Sequence, residues 1–270
     1  MAQSYLLLLL FLLVFLASTS SSRSMVQATD QETLLTIKKD WGSPSALSSW
    51  NPQNASSYCS WVGVSCSNNG QVTKLSFLNL NITNPIPASI CTLKSLSYLD
   101  LSYNNLTGQF PAALYSCSGL HYLDLSNNHF SGALPADIDK LSPEMEHLNL
   151  STNGFTGSVP SAIAAFPKLK SLLLDTNSFN GTYPSSAIAK LSELETLTLA
   201  TNPFAPGPIP HEFASLKKLK MLWMSEMNLT GVIPDELSSL TELTTLALYY
   251  NKLDGEIPSW VWKLQKLEIL

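Results

Sequence analysis

The feature that most constrains this 270-residue chain is a period. The leucine that opens each Leu-x-Leu pair recurs as Leu75, Leu99, Leu123, Leu148, Leu172, Leu197, Leu222 and Leu246, always 24 or 25 residues apart. One unit reads Leu96-x-x-Leu99-x-Leu101-x-x-Asn104-x-Leu106-x-Gly108, followed by Phe110-Pro111. The same frame returns as Leu120, Leu123, Leu125, Asn128, Phe130, Gly132 and Pro135, and again as Leu243, Leu246, Leu248, Asn251, Leu253, Gly255 and Pro258. Self-similarity at this length means stacked structural units, because so few buried apolar side chains per unit cannot offset the entropy of ordering 24 backbones. Each unit therefore depends on its neighbours for stability.

The spacing is that of the leucine-rich repeat, and each position has a physical task. Leu99 and Leu101 alternate inward on a short strand while Asp100 and Ser102 are expected to face out. Asn104 leaves the strand, where its amide can pair backbone groups that a bending chain exposes. Gly108 allows a turn with positive φ, and the prolines of each unit mark a second segment that cannot sit inside a sheet. The fold class that follows is an α/β solenoid. It is a right-handed leucine-rich-repeat superhelix with a concave parallel sheet and a disulfide-linked N-terminal cap.

The chain divides into residues 1–28, 29–71 and 72–270. The first part holds Leu6 to Ala17, twelve uncharged residues. That is short of the roughly 20 needed to span a bilayer and suits a signal peptide cleaved between 17 and 28, although no Lys or Arg precedes it. Six Asn-x-Ser/Thr sequons, at Asn54, Asn81, Asn105, Asn149, Asn180 and Asn228, favour the secretory pathway and glycosylation. No later run is long enough for a membrane span. The second part is a cap: Thr29-x-x-Glu32 reads as a helix capping box, with Leu34, Ile37 and Trp41 at helical spacing. Cys59 and Cys66 are expected to bridge it, since a zinc site would need two further ligands nearby. Cys91 and Cys117 are expected to be buried free thiols. The third part holds eight full repeats and a ninth cut short at Leu270, which reads as a fragment or an incomplete gene product.

Chemistry is excluded more firmly than binding. With 15 basic against 20 acidic residues the formal charge is −5, which gives no electrostatic case for nucleic acid. Kinase motifs, a Gly-x-Ser-x-Gly elbow and metalloprotease histidine spacing do not occur, so no catalytic residue, metal or cofactor is expected. His121 and His147 read as solvated strand positions. Binding is expected on the concave face, where three columns run along the repeats. The first is Asp100, Asp124, Asn149, Leu173, Thr198, Trp223 and Ala247; the second is Ser102, Ser126, Ser151, Asp175, Ala200, Ser225 and Tyr249; the third ends in Glu226 and Tyr250. Large apolar groups in water are interface candidates, so Leu173, Trp223, Tyr249 and Tyr250 are the expected binding contacts. Asp175 and Glu226 could orient a basic group. Met227 in place of the ladder asparagine, and the proline-rich Asn202–Pro210 with its extra residue, predict an irregularity near Trp223. A glycan on Asn149 would obstruct the middle repeats and push binding beyond Leu173.

Asp30 through Cys66, with Leu47-Ser-Ser-Trp50 and Cys59-x-Trp61-x-Gly63-Val-x-Cys66, resembles the plant-type leucine-rich-repeat N-terminal cap. Gly231-Val-Ile-Pro234 and Gly255-Glu-Ile-Pro258 resemble the plant extracellular repeat class. Leu134 to Glu144 and Lys217 to Leu229 resemble the HAESA-like receptor kinases. The resemblance implies a plasma-membrane receptor whose later repeats, membrane helix and Ser/Thr kinase lie beyond these residues. It implies two partners: a secreted peptide ligand and a leucine-rich-repeat co-receptor of the somatic-embryogenesis type. The Arg-x-Arg pair by which such relatives hold a peptide carboxylate has no counterpart in this sequence. A different reading of the same repeats is a secreted inhibitor of a microbial cell-wall-degrading enzyme, or a truncated decoy receptor. Location follows the reading: the outer face of the plasma membrane for a receptor, the apoplast for a free fragment.

Overall fold

The computed structural model describes residues 29–53 and 57–270. The expected signal segment and the Asn54 sequon lie outside the described residues. The cap opens with helix α1 (Asp30–Asp40), whose capping box forms as expected: Glu32 N donates to Thr29 Oγ1 at 3.2 Å and Thr29 N donates to Glu32 Oε2 at 2.8 Å. Three buried tryptophans close the end of the solenoid. Trp41 Nε1 donates to Pro85 O at 3.1 Å and Trp50 Nε1 to Val62 O at 2.9 Å, so two of the three satisfy their indole donors while packing around Phe77. Trp50 stacks on Trp61.

One nine-stranded sheet follows. Strand β1 (Val64–Cys66) runs antiparallel to β2 (Val72–Ser76). All later neighbours are parallel: β3 (Tyr98–Asp100), β4 (Tyr122–Asp124), β5 (His147–Asn149), β6 (Ser171–Leu173), β7 (Thr196–Thr198), β8 (Met221–Trp223) and β9 (Thr245–Ala247). The leucines chosen for their period lie in register from Leu75 to Leu246, and every one is fully buried. Register is fixed because a one-residue slip would turn that entire row to water.

Behind the sheet, the asparagine ladder does what its position requires. Asn104 Nδ2 donates to the carbonyls of Phe77, Leu101 and Ser102, and its Oδ1 accepts from Leu80 N and Ile82 N. Asn128, Asn153, Asn177, Asn202 and Asn251 repeat the pattern. At Met227 the ladder lacks its amide, and Phe204 N turns instead to Asn202 O at 2.9 Å. A buried spine of Phe130, Phe155, Phe179 and Phe204 stacks alongside at 5.9–6.4 Å. The outer side is made of 3₁₀ turns, with one α-helical turn at Ser185–Ile188. The extra residue of Asn202–Pro210 is taken up there, since β7 and β8 keep the common register. The irregularity thus does not reach Trp223.

Cys59 and Cys66 are bridged within the cap, as expected. The expectation of free thiols at Cys91 and Cys117 is wrong: they are bridged, with Cα atoms 4.6 Å apart. Their separation of 26 residues is not the repeat period. The outer turns of successive repeats nonetheless bring the two positions within one repeat spacing. Both cysteines are buried, so the bridge ties the first repeat to the second beneath the surface.

Candidate functional site

The concave face is the row that follows each leucine of the strands: Asp100, Asp124, Asn149, Leu173, Thr198, Trp223 and Ala247, aligned in register across β3 to β9. Its first half closes upon itself. Asp100 Oδ1 accepts from Ser102 N at 3.0 Å and Ser102 Oγ at 2.7 Å, and Asp100 Oδ2 accepts from Ser76 Oγ. Asp124 accepts from Ser126 N at 2.8 Å and from Asn149 Nδ2 at 2.9 Å. Asn149 Oδ1 in turn accepts from Ser151 N and Ser151 Oγ. Each short polar side chain captures the residue two further on, the usual Asx geometry at a strand end.

This capture corrects the second column. Ser102, Ser126, Ser151, Asp175, Ala200 and Ser225 are buried, not outward. The strands are only three residues long, so alternation ends before that position. The following residue then takes φ of 52–56° in every repeat: Asn79, Tyr103, Asn127, Thr152, Thr176, Thr201, Glu226 and Tyr250. A left-handed residue turns the chain and throws its own side chain outward, which explains why this column stands clear of the sheet. Asp175 is therefore no open anchor; it is 8% exposed and its Oδ1 accepts from Thr198 Oγ1. Tyr249, at the far end of the second column, is the exception and is 51% exposed.

The other expected contacts lie in the second half. Leu173 and Trp223 are half-buried on one row with Thr198 between them. Glu226 is exposed at the end of β8, and Tyr249 meets Tyr250 edge to face at 5.3 Å. Two polar atoms here lack a partner among the described residues: Trp223 Nε1 and Ser225 Oγ. The cause is local. Ser225 is the counterpart of Ser102, but the residue two before it is Trp223, which has no acceptor to offer. The structure thus brings Leu173, Trp223, Glu226, Tyr249 and Tyr250 to one surface and leaves Asp175 beneath it.

One column escaped the sequence reading except for His147. Lys74, Tyr98, Tyr122 and His147 stand immediately before the inward leucines, and alternation puts them on the concave face too. Tyr98 stacks on Tyr122 at 4.0 Å and Tyr122 on His147 at 4.2 Å, and Lys74 Nζ lies 4.0 Å over the Tyr98 ring. Period two applied one residue earlier would have found them. His147 is therefore half-buried in a stack and not solvated. Burial holds its imidazole below its ordinary pKa, with Asp124 and Asp100 pulling the other way. Burial pushes the Tyr122 hydroxyl upward, helped by its hydrogen bond with Tyr98 and by Asp124. The faces of these rings are spent on one another.

One edge of the sheet carries alternating charge. Lys168 pairs with Glu144, Lys218 with Glu193 and Lys266 with Glu242, and in a parallel row Lys170 pairs with Glu146 and Lys220 with Glu195. Lys170 and Lys220 hold the carboxyls of Glu146 and Glu195 below the usual carboxylate range. These pairs are solvated and add little individually. Among the described residues no group of three or more His, Cys, Asp or Glu is placed to hold a metal, and no helix is long and apolar enough to cross a membrane.

Comparison with known proteins agrees with this architecture. Residues 27–67 match the leucine-rich-repeat N-terminal domain; residues 71–130, 144–166, 218–240 and 242–264 match the leucine-rich repeat. Receptor-like protein 52 of Arabidopsis thaliana is 56% identical over 223 residues, covering 83% of this chain and 27% of that protein. Polygalacturonase inhibitor 2 of Phaseolus vulgaris is 39% identical over 94 residues, covering 33% of this chain and 28% of the inhibitor. The Arabidopsis receptor kinase HAESA, solved in complex with the peptide hormone IDA and the co-receptor SERK1, superposes with a TM-score of 0.84 at 34% identity over 89% of this chain and 40% of that one. The chain thus spans little more than a quarter of these two curated relatives. With its cap and its repeats both matched, it belongs to the leucine-rich-repeat family.

Proposed function

We propose that this chain is the extracellular ligand-binding segment of a plant cell-surface receptor, and that a secreted peptide lies along the second half of its concave face. The observation that carries this reading is the surface from Leu173 to Tyr250, where Leu173, Trp223, Tyr249 and Tyr250 hold apolar area at the sheet face. The likeness to HAESA supports it, as that receptor was solved with a peptide hormone and a co-receptor. The same likeness makes a leucine-rich-repeat co-receptor the second partner in this reading. The inhibitor reading draws on a likeness over a third of the chain, against 83% for the receptor-like relative.

Display selection of random extended peptides on the folded protein tests the reading. Selected peptides should lose about 2 kcal/mol of binding to Trp223→Ala and keep their affinity for Tyr103→Ala. Tyr103 occupies the register of Tyr250 and is comparably exposed, at 58%. Selection of no peptide, together with tight binding of purified polygalacturonase, would favour the inhibitor instead.

A further inference from the structure

Four of the five described sequons fall into two classes that the sequence does not separate. Asn81, Asn105 and Asn180 lie within three residues after the ladder position of their repeats, on the run that leaves the main sheet, and all three are exposed. Asn105 Nδ2 reaches only the exposed Asn81 amide, and Asn180 uses its Oδ1 to accept from Gly157 N at 3.0 Å while no partner for its Nδ2 occurs among the described residues. Asn228 shares the register of Asn105 but is half-buried, with its Nδ2 turned to Phe204 O. Asn149 differs in kind. It lies in β5 on the concave face, its Nδ2 donates to the buried Asp124 carboxylate, and its Oδ1 holds both the backbone and the hydroxyl of Ser151.

We infer that Asn81, Asn105 and Asn180 carry N-linked glycans along one edge of the solenoid, and that Asn149 stays unmodified as a structural residue of the sheet. The inference rests on the secretory reading. It corrects the expectation that a glycan on Asn149 blocks the middle repeats. A sugar on Asn149 Nδ2 has to lie between the Asp124 and Leu173 rows, each one strand spacing away. It would crowd the Asp124 bond, and the folded population would be depleted of chains so modified. On the edge, a sugar extends into solvent and displaces nothing buried. The concave face is then free of sugar along every described repeat, and the two rows of ion pairs on the other edge are bare as well.

The test is site-by-site occupancy in secreted, monomeric protein from plant cells. The full chain is expressed once with its own first 28 residues and once with an established secretion signal in their place. Enzymatic deglycosylation in heavy-oxygen water marks each formerly glycosylated asparagine for peptide mass spectrometry. With the established signal, Asn105 and Asn180 should be mostly marked and Asn149 marked in fewer than about one molecule in ten. Marking of Asn149 at the level of Asn105, or unmarked Asn105 and Asn180, would overturn the inference. Marking only behind the established signal would uphold it while removing the secretory reading. As a second readout, Asn149→Ala should lower Tm by about 4 °C and Asn105→Gln should leave it unchanged. Equal shifts would contradict the division into two classes.

Discussion

Between Asp100 and Asn149 the concave face pairs its Asp, Asn and Ser groups internally and stacks its aromatic rings on one another, with His147 Nε2 buried in the stack without a partner among the described residues. From Leu173 to Tyr250 the same frame carries leucine, tryptophan and tyrosine at the sheet face, and leaves Trp223 Nε1 and Ser225 Oγ without partners. The two stretches share backbone, register and left-handed turn. What separates them is one side chain per repeat. An Asp or Asn after the inward leucine captures the serine two residues on, and Leu173 or Trp223 at that place cannot. A satisfied polar surface gains little from a ligand, which would have to replace hydrogen bonds already made. The second stretch has apolar area to bury.

The largest expected effect lies in the first stretch. Asp124→Ala strips the acceptor from Ser126 N and Asn149 Nδ2 and should cost about 3 kcal/mol of folding stability, read by denaturant titration. A loss below about 1 kcal/mol would mean that the pairing there is incidental. Smaller and sharper is the serine pair. Ser102→Ala should cost about 1 kcal/mol, whereas Ser225→Ala removes a buried hydroxyl with no partner and should be neutral or stabilising. Equal losses at both sites would erase the difference between the stretches.

The His147 stack gives a pH dependence confined to the first stretch. Its folded pKa lies below the ordinary 6.5, so protonation favours the unfolded chain. Stability is complete above pH 6.5 and falls as the pH drops below it. His147→Phe keeps a ring in the stack and should flatten Tm between pH 6.5 and 5. A slope that persists in the variant would place its origin elsewhere. The charged edge is separate: Glu146 and Glu195, held low by Lys170 and Lys220, lose their contribution only as the pH falls below the usual carboxylate range. High salt should lower Tm by no more than about 2 °C, because these pairs are exposed.

Much of this was legible from Leu99, Leu101 and Asn104 and their copies, because burial of a periodic row and pairing of a bend leave few other choices. The outward positions of Trp223 and Tyr249 were read from the same period. Asp175 was misread because alternation was carried two residues past a three-residue strand. Tyr98 and Tyr122 were missed, and His147 was read as a solvated strand position and not as part of a stack, because the columns were counted forward from the leucines. The Cys91–Cys117 bridge hides from period counting altogether, since two residues out of frame in sequence still become neighbours across stacked turns.

The central claim is that ligand occupies one stretch of the concave face and not the other. Hydroxyl-radical footprinting reads it directly, because both stretches offer reactive, exposed tyrosines: Tyr103 in the first, Tyr249 and Tyr250 in the second. With a display-selected peptide bound, oxidation of Trp223, Tyr249 and Tyr250 should fall several-fold while Tyr103 reacts as in the free protein. Protection of Tyr103 with Tyr249 and Tyr250 unchanged would place the ligand on the self-paired stretch and contradict the account.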